Sequence, residues 1–318
     1  MEELRPHLQP INHRANQEVV QGIVPLTPIQ HWFFAQPMEE KHHYNQSVML
    51  DSKSPIDYES LMKVLDKLSA HHDALRMAFR QEGNSIVQTI RDIAQPVYEC
   101  QVFDLTGKSK TDKEVKSDIQ SICRELQSSL DLWGGKLINV GLFHTDYGDH
   151  LFLTFHHLIV DTLSLRILLE DLEQGYQLAV NNQAVSLPDK TDSYLVWSQQ
   201  LYEYATSSEL QKELSYWGKI KENSVEEDRA LGSIGENERL VGRLSASDTQ
   251  LLLKEVHRAY NTQIYDILLT GLGMSLRSWK NSDMILIDVE GHGRHELSDQ
   301  LDITRTVGWF TTLYPILL

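Results

Sequence analysis

Leu151-Phe152-Leu153-Thr154-Phe155-His156-His157-Leu158-Ile159-Val160-Asp161-Thr162-Leu163-Ser164 is the stretch that decides the fold of this chain. Phe152, Leu153 and Phe155 lack strict polar alternation, the pattern of a strand buried on both faces. From Leu163 the period changes, and Ile167, Leu168, Leu172 and Tyr176 recur at helical spacing. The two histidines therefore stand where a strand ends and a helix is about to begin, a common place for chemistry in an α/β fold. Adjacent strand residues point to opposite faces, so one histidine belongs to the packed interior and only the other can face a cavity. Asp161 is suited to cap the helix, for which aspartate is among the preferred residues. Two further histidine pairs, His42-His43 and His71-His72, lie in a polar stretch and at a helix end, and read as structural.

The chain has 318 residues, 41% of them hydrophobic and 23% charged, an ordinary balance for a globular protein. That length suits two domains or lobes better than one. The formal net charge is -16, and no lysine- or arginine-rich run occurs. A nucleic-acid or anionic-membrane partner is therefore not expected. The apolar runs are too short to span a bilayer, and the polar start does not read as a signal peptide. Cys100 and Cys123 lack metal-ligand spacing and suit a reducing, cytoplasmic setting. There is no glycine-rich phosphate loop and no dinucleotide fingerprint.

In chain order, residues 1–24 read as a polar lead-in, and Ile29 to Phe34 as a short helix behind Pro25 and Pro28. Tyr44 to Leu50 alternates as a strand, and Pro55 is expected to open a helix with Leu61, Val64, Leu65 and Leu68 on one face. Leu75 to Phe79, Ser85 to Ile90 and Val97 to Phe103 read as strands, the first two joined at Gly83-Asn84. A helix over Asp118 to Leu130 precedes a hairpin of Leu137 to Phe143 with His150 to Phe155. After a helix ending near Ala179, the polar Asn181 to Asp192 reads as the crossing between domains, 1–185 and 186–318. Helices follow at Tyr194 to Tyr204 and Glu209 to Ile220, then an acidic loop from Lys221 to Glu238 and a strand at Arg239 to Leu244. Ser247 to Tyr260 is expected to be a helix, with Ser247 and Gln250 in capping-box spacing. Asp266 to Trp279 is a second helix, whose Gly271 and Gly273 point to close backbone packing. Met284 to Val289 reads as a buried strand delivering Glu290-Gly291-His292-Gly293-Arg294. A carboxylate at the end of an apolar strand, followed by two glycines, is unusual enough to mark a candidate site.

Five blocks taken together resemble the epimerization domains of nonribosomal peptide synthetases, a branch of the condensation-domain superfamily. They are Pro28-Ile29-Gln30-His31-Trp32-Phe33; His156-His157-Leu158-Ile159-Val160-Asp161; Asp266-Ile267-Leu268-Leu269; Glu290-Gly291-His292-Gly293-Arg294; and Arg305-Thr306-Val307-Gly308-Trp309-Phe310-Thr311. The second block marks the superfamily, and the first, fourth and fifth point to the epimerization branch. Thr162 and Leu165 depart from the family pattern, which has glycine and tryptophan at those places. The resemblance implies two chloramphenicol-acetyltransferase-like lobes in a V around a tunnel. It also implies a continuation beyond Leu318 with two further motifs, so that the second lobe is partial here. On that basis Trp309 to Leu318 is expected to leave a bare apolar edge, and the chain to self-associate and work slowly.

The resemblance further implies inversion of the α-carbon of an aminoacyl or peptidyl thioester held on the phosphopantetheine arm of a peptidyl carrier domain. The protein would have no cofactor of its own and no metal, and its partners would be the carrier and neighbouring synthetase domains. Such a reaction needs a base, a stabiliser for the enolate oxygen and a proton source on the opposite face. His157 and Glu290 are the expected catalytic pair, with Glu290 the base if its site is dry enough to raise its basicity. His156 is assigned to structure, Asp161 to an ion pair with Arg294, and Tyr314 to the tunnel. The alternatives are a condensation domain, which would share His157 and Asp161 but not the Glu290 block, and an inactive interaction module.

Overall fold

The computed structural model describes residues 15–107, 111–222, 241–256, 258, 262–295, 297–298 and 300–318. The missing alternation in Leu151 to Phe155 has a direct cause. Strand β7 (Gly148–His156) is an inner strand of a four-stranded sheet covered on both faces. Its neighbours are β2 (Asn45–Ser52) on one side and β6 (Ile138–Thr145) on the other, with β5 (Tyr98–Asp104) beyond β6. Leu151, Leu153 and Phe155 share one apolar cluster with Leu61, Val64, Leu65 and Leu68 of α2 (Tyr58–His71) and Ile167, Leu168 and Leu172 of α4 (Thr162–Val180). Phe152 and Phe143 point the other way, into Val115, Ile119 and Leu126 of α3 (Asp112–Ser128). The strand period of two distributes the side chains between those clusters. Each fully buried leucine or phenylalanine contributes roughly 1.5–3 kcal/mol relative to exposure.

Within this sheet β5 and β6 run parallel, with Val102 opposite Leu142, and α3 lies between them in sequence. Parallel neighbours require such a crossover, whereas β6 and β7 close through the two residues Asp146 and Tyr147 between Thr145 and Gly148. A smaller sheet, ordered β1-β4-β3, is built from Gly22–Val24, Ser85–Ile90 and Met77–Glu82. Helix α1 (Pro28–Ala35) carries Phe33, fully buried, into the main core.

Several element starts differ from the sequence expectations, and capping explains most of them. Helix α2 begins at Tyr58 behind Asp57, whose carboxylate accepts the Ser60 N–H at 2.8 Å, so Pro55 lies outside the helix. Helix α3 begins six residues before Asp118, where Thr111 and Glu114 form a capping box. Strand β3 begins at Met77, because Asp73–Arg76 form a 3-10 turn around the buried Arg76.

Contacts divide the chain into two compact units, residues 1–207 with 292–312 and residues 208–291 with 313–318. Helix α5 (Tyr194–Ala205) belongs to the first unit, and the returning segment explains why. The Tyr194 hydroxyl donates to Trp309 O at 2.9 Å, Asp302 N–H donates to Asp192 Oδ2 at 2.9 Å, and Trp309 and Phe310 are fully buried, Phe310 against Trp197.

The second unit holds α6 (Ser208–Gln211), α7 (Leu214–Glu222), α8 (Ala246–Lys254), α9 (Ile264–Lys280), β8 (Leu286–Gly291) and β9 (Thr312–Leu317). The helix expected over Glu209 to Ile220 is broken into α6 and α7. The N-cap of α8 is Ser245, bonded to Asp248 N–H, rather than Ser247. Residues 241–244 form no strand, while 239–240, most of the acidic loop and the end of the following helix lie outside the described residues. Strand β9 pairs with β8, and Ile285 and Leu318 exchange backbone hydrogen bonds of 3.0 and 2.8 Å. Of the stretch Trp309 to Leu318, the first two aromatics are buried and β9 is paired on one side, but in this two-stranded sheet residues 312–318 are half-buried or exposed, Leu313 among the exposed ones. Gly271 has nothing within 4 Å of where a Cβ would stand, and Gly273 meets only the Leu318 side chain at 3.3 Å, so neither packs against backbone. Among the described residues no helix is long and apolar enough to cross a membrane.

Candidate active site

Strand β7 delivers its two histidines to different surroundings. His156 is wholly buried, with Phe33 edge-on at 5.7 Å. Its Nδ1 accepts the Leu158 N–H at 3.2 Å, so Nε2 carries the hydrogen and donates to Lys41 O at 2.9 Å. Burial pushes its pKa down to about 4, the Lys41 carbonyl opposing the shift more weakly. His156 is therefore a neutral core histidine with both ring nitrogens occupied.

His157 begins a 3-10 turn, His157–Ile159, and is half-buried. Its backbone N–H donates to Tyr44 O at 2.8 Å. The imidazole is one of three mutually packed rings, stacked on Tyr44 at 5.2 Å and tilted against Trp309 at 4.7 Å, with Tyr44 and Trp309 themselves 5.8 Å apart. Nε2 stands 2.8 Å from Gln46 Nε2, on the neighbouring strand β2. The ring is thereby held by stacking on Tyr44, a tilted contact with Trp309 and a polar contact at one edge.

Four residues on, Asp161 combines the two roles open to it. One carboxylate oxygen, Oδ1, accepts the Ser164 N–H at 2.7 Å as the N-cap of α4 and also meets Arg294 Nη2 at 3.3 Å. The other oxygen accepts the Phe310 N–H at 3.2 Å. Arg294 does not form the bidentate pair that its chemistry favours. Its Nη1 donates instead to Ile303 O and Thr306 O at 3.0 and 2.8 Å, and Nη2 also reaches Ser164 Oγ at 3.0 Å. The guanidinium lies 3.9 Å from the Phe310 ring centroid. Burial draws its pKa below the ordinary arginine value, and Asp161 pulls it back. Arg294 thus ties a loop of backbone carbonyls to the head of α4.

Two glycines of these blocks are demanded by close approach. Gly293 has φ +66°, and a Cβ there would stand 1.6 Å from Phe310 O. At Gly308 a Cβ would meet the Tyr194 ring at 2.2 Å.

Glu290 and Tyr314 lie in the second unit, on β8 and β9, neighbouring strands of one two-stranded sheet. Ile285 and Val289 are buried, Ile287 is half-buried, and the alternate residues Asp288 and Glu290 are exposed. Tyr314 is half-buried. The dry surroundings expected for Glu290 are not supplied by its own strand. Among the described residues, His71, His72 and Asp171 are near enough to hold a metal, with ligand atoms within 4.8 Å of one another. Asp171 already accepts from His72 at 2.8 Å and Arg305 at 2.5 Å, so the cluster is built as an ion-pair network. Desolvation lowers the His71 pKa to about 4.

A family model described as Condensation domain matches residues 20–318. The chain belongs to the condensation-domain family. It is 42% identical to Gramicidin S synthase 1 of Brevibacillus brevis over 331 aligned positions, covering 100% of this chain and 29% of that synthase. Tyrocidine synthase 1 of Brevibacillus parabrevis is 39% identical, again with 100% and 29% covered, so the chain spans under a third of either relative. Among solved structures it is similar to the epimerization domain from the third module of tyrocidine synthetase B. That match has 37% identity and a TM-score of 0.86, covering 96% of this chain and 69% of the other. The condensation domain from Monacolin K polyketide synthase MokA, at 16% identity and TM-score 0.72 over 94% and 68%, shares the fold.

Within this condensation-domain member, the contacts of the second block with Gln46, Tyr44, Trp309 and Ser164 were not read from the sequence as site contacts. Ser164 Oγ donates to Gly308 O at 2.8 Å and accepts Gly308 N–H at 3.0 Å, a link across 144 residues that no local pattern announces. The alternation around Tyr44 gave β2 but not its partner, and pairing Asn45 with His156 is what sets Gln46 beside His157.

Proposed function

We propose that this chain is an epimerization domain of a nonribosomal peptide synthetase, inverting the α-carbon of an aminoacyl or peptidyl thioester during peptide antibiotic synthesis. The observation that carries this reading is the likeness to a solved epimerization domain, 37% identical over 96% of the chain, against 16% for a condensation domain of the same fold. The Glu290-Gly291-His292-Gly293-Arg294 block supports the same branch. In this reading the substrate rides on the phosphopantetheine of a peptidyl carrier domain, and neighbouring synthetase domains are the partners. The two lobes, divided at 185/186 and arranged as a V, belong to the same proposal.

The chemistry is a proton relay. One base removes the α-proton, the electron pair moves into the thioester carbonyl as an enolate, and an acid returns a proton to the opposite face. Bonds and electrons balance without an oxidant, and the protein's own side chains do the work. Glu290 acts as one proton carrier and His157 as the other, or as the enolate's hydrogen-bond donor. Glu290 is exposed, so the desolvation that strengthens a carboxylate base comes with the bound substrate. Asp161, Arg294 and His156 support the frame, and Tyr314 stands on the strand beside that of Glu290.

A second reading, amide-bond formation between two carrier-bound substrates, draws on the family model itself and on the shared His157 block. Incubation with α-deuterated aminoacyl thioesters on a carrier protein separates them. Loss of deuterium with D-product supports epimerization, a new amide supports condensation, and neither leaves a non-catalytic interaction module.

A further inference from the structure

Gln46 stands in the site without a part in the reaction described above. Its side-chain Nε2 lies 2.8 Å from His157 Nε2, while its Oε1 is buried with no hydrogen-bond partner among the described residues. An amide nitrogen has no lone pair to offer and can only donate. With the carboxamide in this orientation, the imidazole nitrogen it meets is the bare one. The backbone of β2 holds this arrangement, because Gln46 is paired with Phe155 and the next residue, Ser47, is locked by its hydroxyl to Thr154 at 2.8 Å and to Gln127 at 3.0 Å.

We propose that Gln46 is a positioning residue that sets the hydrogen placement of His157, holding the neutral ring with its hydrogen on Nδ1 and the lone pair on Nε2. When the ring gains a proton, both nitrogens become donors, and the amide N–H is then opposed to Nε2–H. Rotation of the carboxamide by half a turn brings Oε1 to the ring instead. Oε1 has no other hydrogen bond to give up in that rotation. Gln46 thus follows the charge of His157, offering a donor to the neutral ring and an acceptor to the imidazolium. Its consequence for turnover rests on the epimerization reading, but the hydrogen placement itself does not.

The test uses this chain labelled with nitrogen-15 histidine, in its unaltered form and as Gln46→Leu and Gln46→Glu. The His157 signals are assigned by their loss in His157→Gln. Long-range nitrogen–proton correlation at a pH where the ring is neutral reads which nitrogen is bare. The expected result is a bare Nε2 in the unaltered chain, a proton-bearing Nε2 opposite the carboxylate of Gln46→Glu, and a mixture in Gln46→Leu. The Glu variant is close to isosteric, so it keeps the test alive if the Leu variant fails to fold. In parallel, deuterium loss from a panel of α-deuterated aminoacyl thioesters on a carrier should fall about tenfold in Gln46→Leu, the scale of one hydrogen bond. A proton-bearing Nε2 in the unaltered chain, or one placement in all three proteins, overturns the proposal. Unchanged exchange despite altered placement overturns the positioning role. If the unaltered chain exchanges no deuterium while the placements shift as expected, the epimerization reading falls and the assignment of Gln46 stands.

Discussion

Asp161 holds Phe310 by its backbone, accepting the N–H at 3.2 Å across 149 residues of sequence. The same carboxylate caps α4 through Ser164 and meets the Arg294 guanidinium, and both charged side chains are largely buried. One short side chain thereby joins the helix that follows the two histidines to the returning segment that supplies Trp309. The ring of Trp309 in turn lies against His157, so this acidic residue shapes the site without facing a substrate.

Asp161→Ala should strand Arg294 as a buried charge. Breaking such a pair typically costs roughly 3–5 kcal/mol, against about 1 kcal/mol for a helix cap alone. Urea denaturation of the two proteins decides between these values. A loss near the smaller figure would mean that Arg294 is satisfied by the carbonyls of Ile303 and Thr306 without its partner.

His156 should make stability depend on acid. Its folded pKa, about 4, lies below the unfolded 6.5, so the unfolded chain binds the extra proton between those values. The stabilisation from keeping the ring neutral is present in full above pH 6.5 and is lost as pH falls toward 4, roughly 3 kcal/mol over the window. His156→Gln should be less stable at pH 7 yet show a flatter decline across that window. Denaturation midpoints at several pH values, compared as differences, check this. Parallel slopes in the two proteins would remove His156 as the cause.

Gly293→Ala and Gly308→Ala should both destabilise, because each added methyl meets a neighbour at close quarters, backbone in the first case and the Tyr194 ring in the second. Overpacking usually costs about 1–3 kcal/mol, and the left-handed φ of Gly293 adds to it. Gly271→Ala is the contrast: it sits in the exposed interior of α9 with open space around it, and should gain up to about 1 kcal/mol in helix propensity. Thermal melts of the three variants should therefore split in sign.

His157→Ala and Glu290→Gln should each lower α-deuterium loss by roughly 10²- to 10⁴-fold if they carry protons in the reaction. Single-turnover assays with L- and D-substrates extend the test, since a two-carrier mechanism predicts unequal effects on the two directions. Equal, small losses in both variants would speak for a supporting role.

Much of the site was legible in single stretches. Phe152 to His157 gave a strand buried on both faces and a strand-end histidine pair, because burial on two sides erases polar alternation within a few residues. The five blocks carry the family resemblance, and the ion pair of Asp161 with Arg294 is part of what that resemblance implies. The capping box at Thr111 and the N-cap at Ser245 lie ahead of the apolar period, which begins only where a helix meets its core, so that period alone starts both helices too late.

What the sequence determined by itself is local: the period of each element, the residue types at the end of β7, and the carboxylate and glycines that follow β8. Tertiary structure decided which histidine is sealed by Phe33 and which packs against Tyr44 and Trp309, and that Asp161 is at once a cap and an anchor for Phe310. It also decided that Glu290 shares the exposed face of β8 with Asp288 while Val289 is buried. The reason is physical. A strand or helix period is set by bonds between near neighbours, but hydrogen bonds such as Ser164 to Gly308 join residues whose separation along the chain carries no signal. Only the packing of β7, α4 and the returning segment brings them within 3 Å.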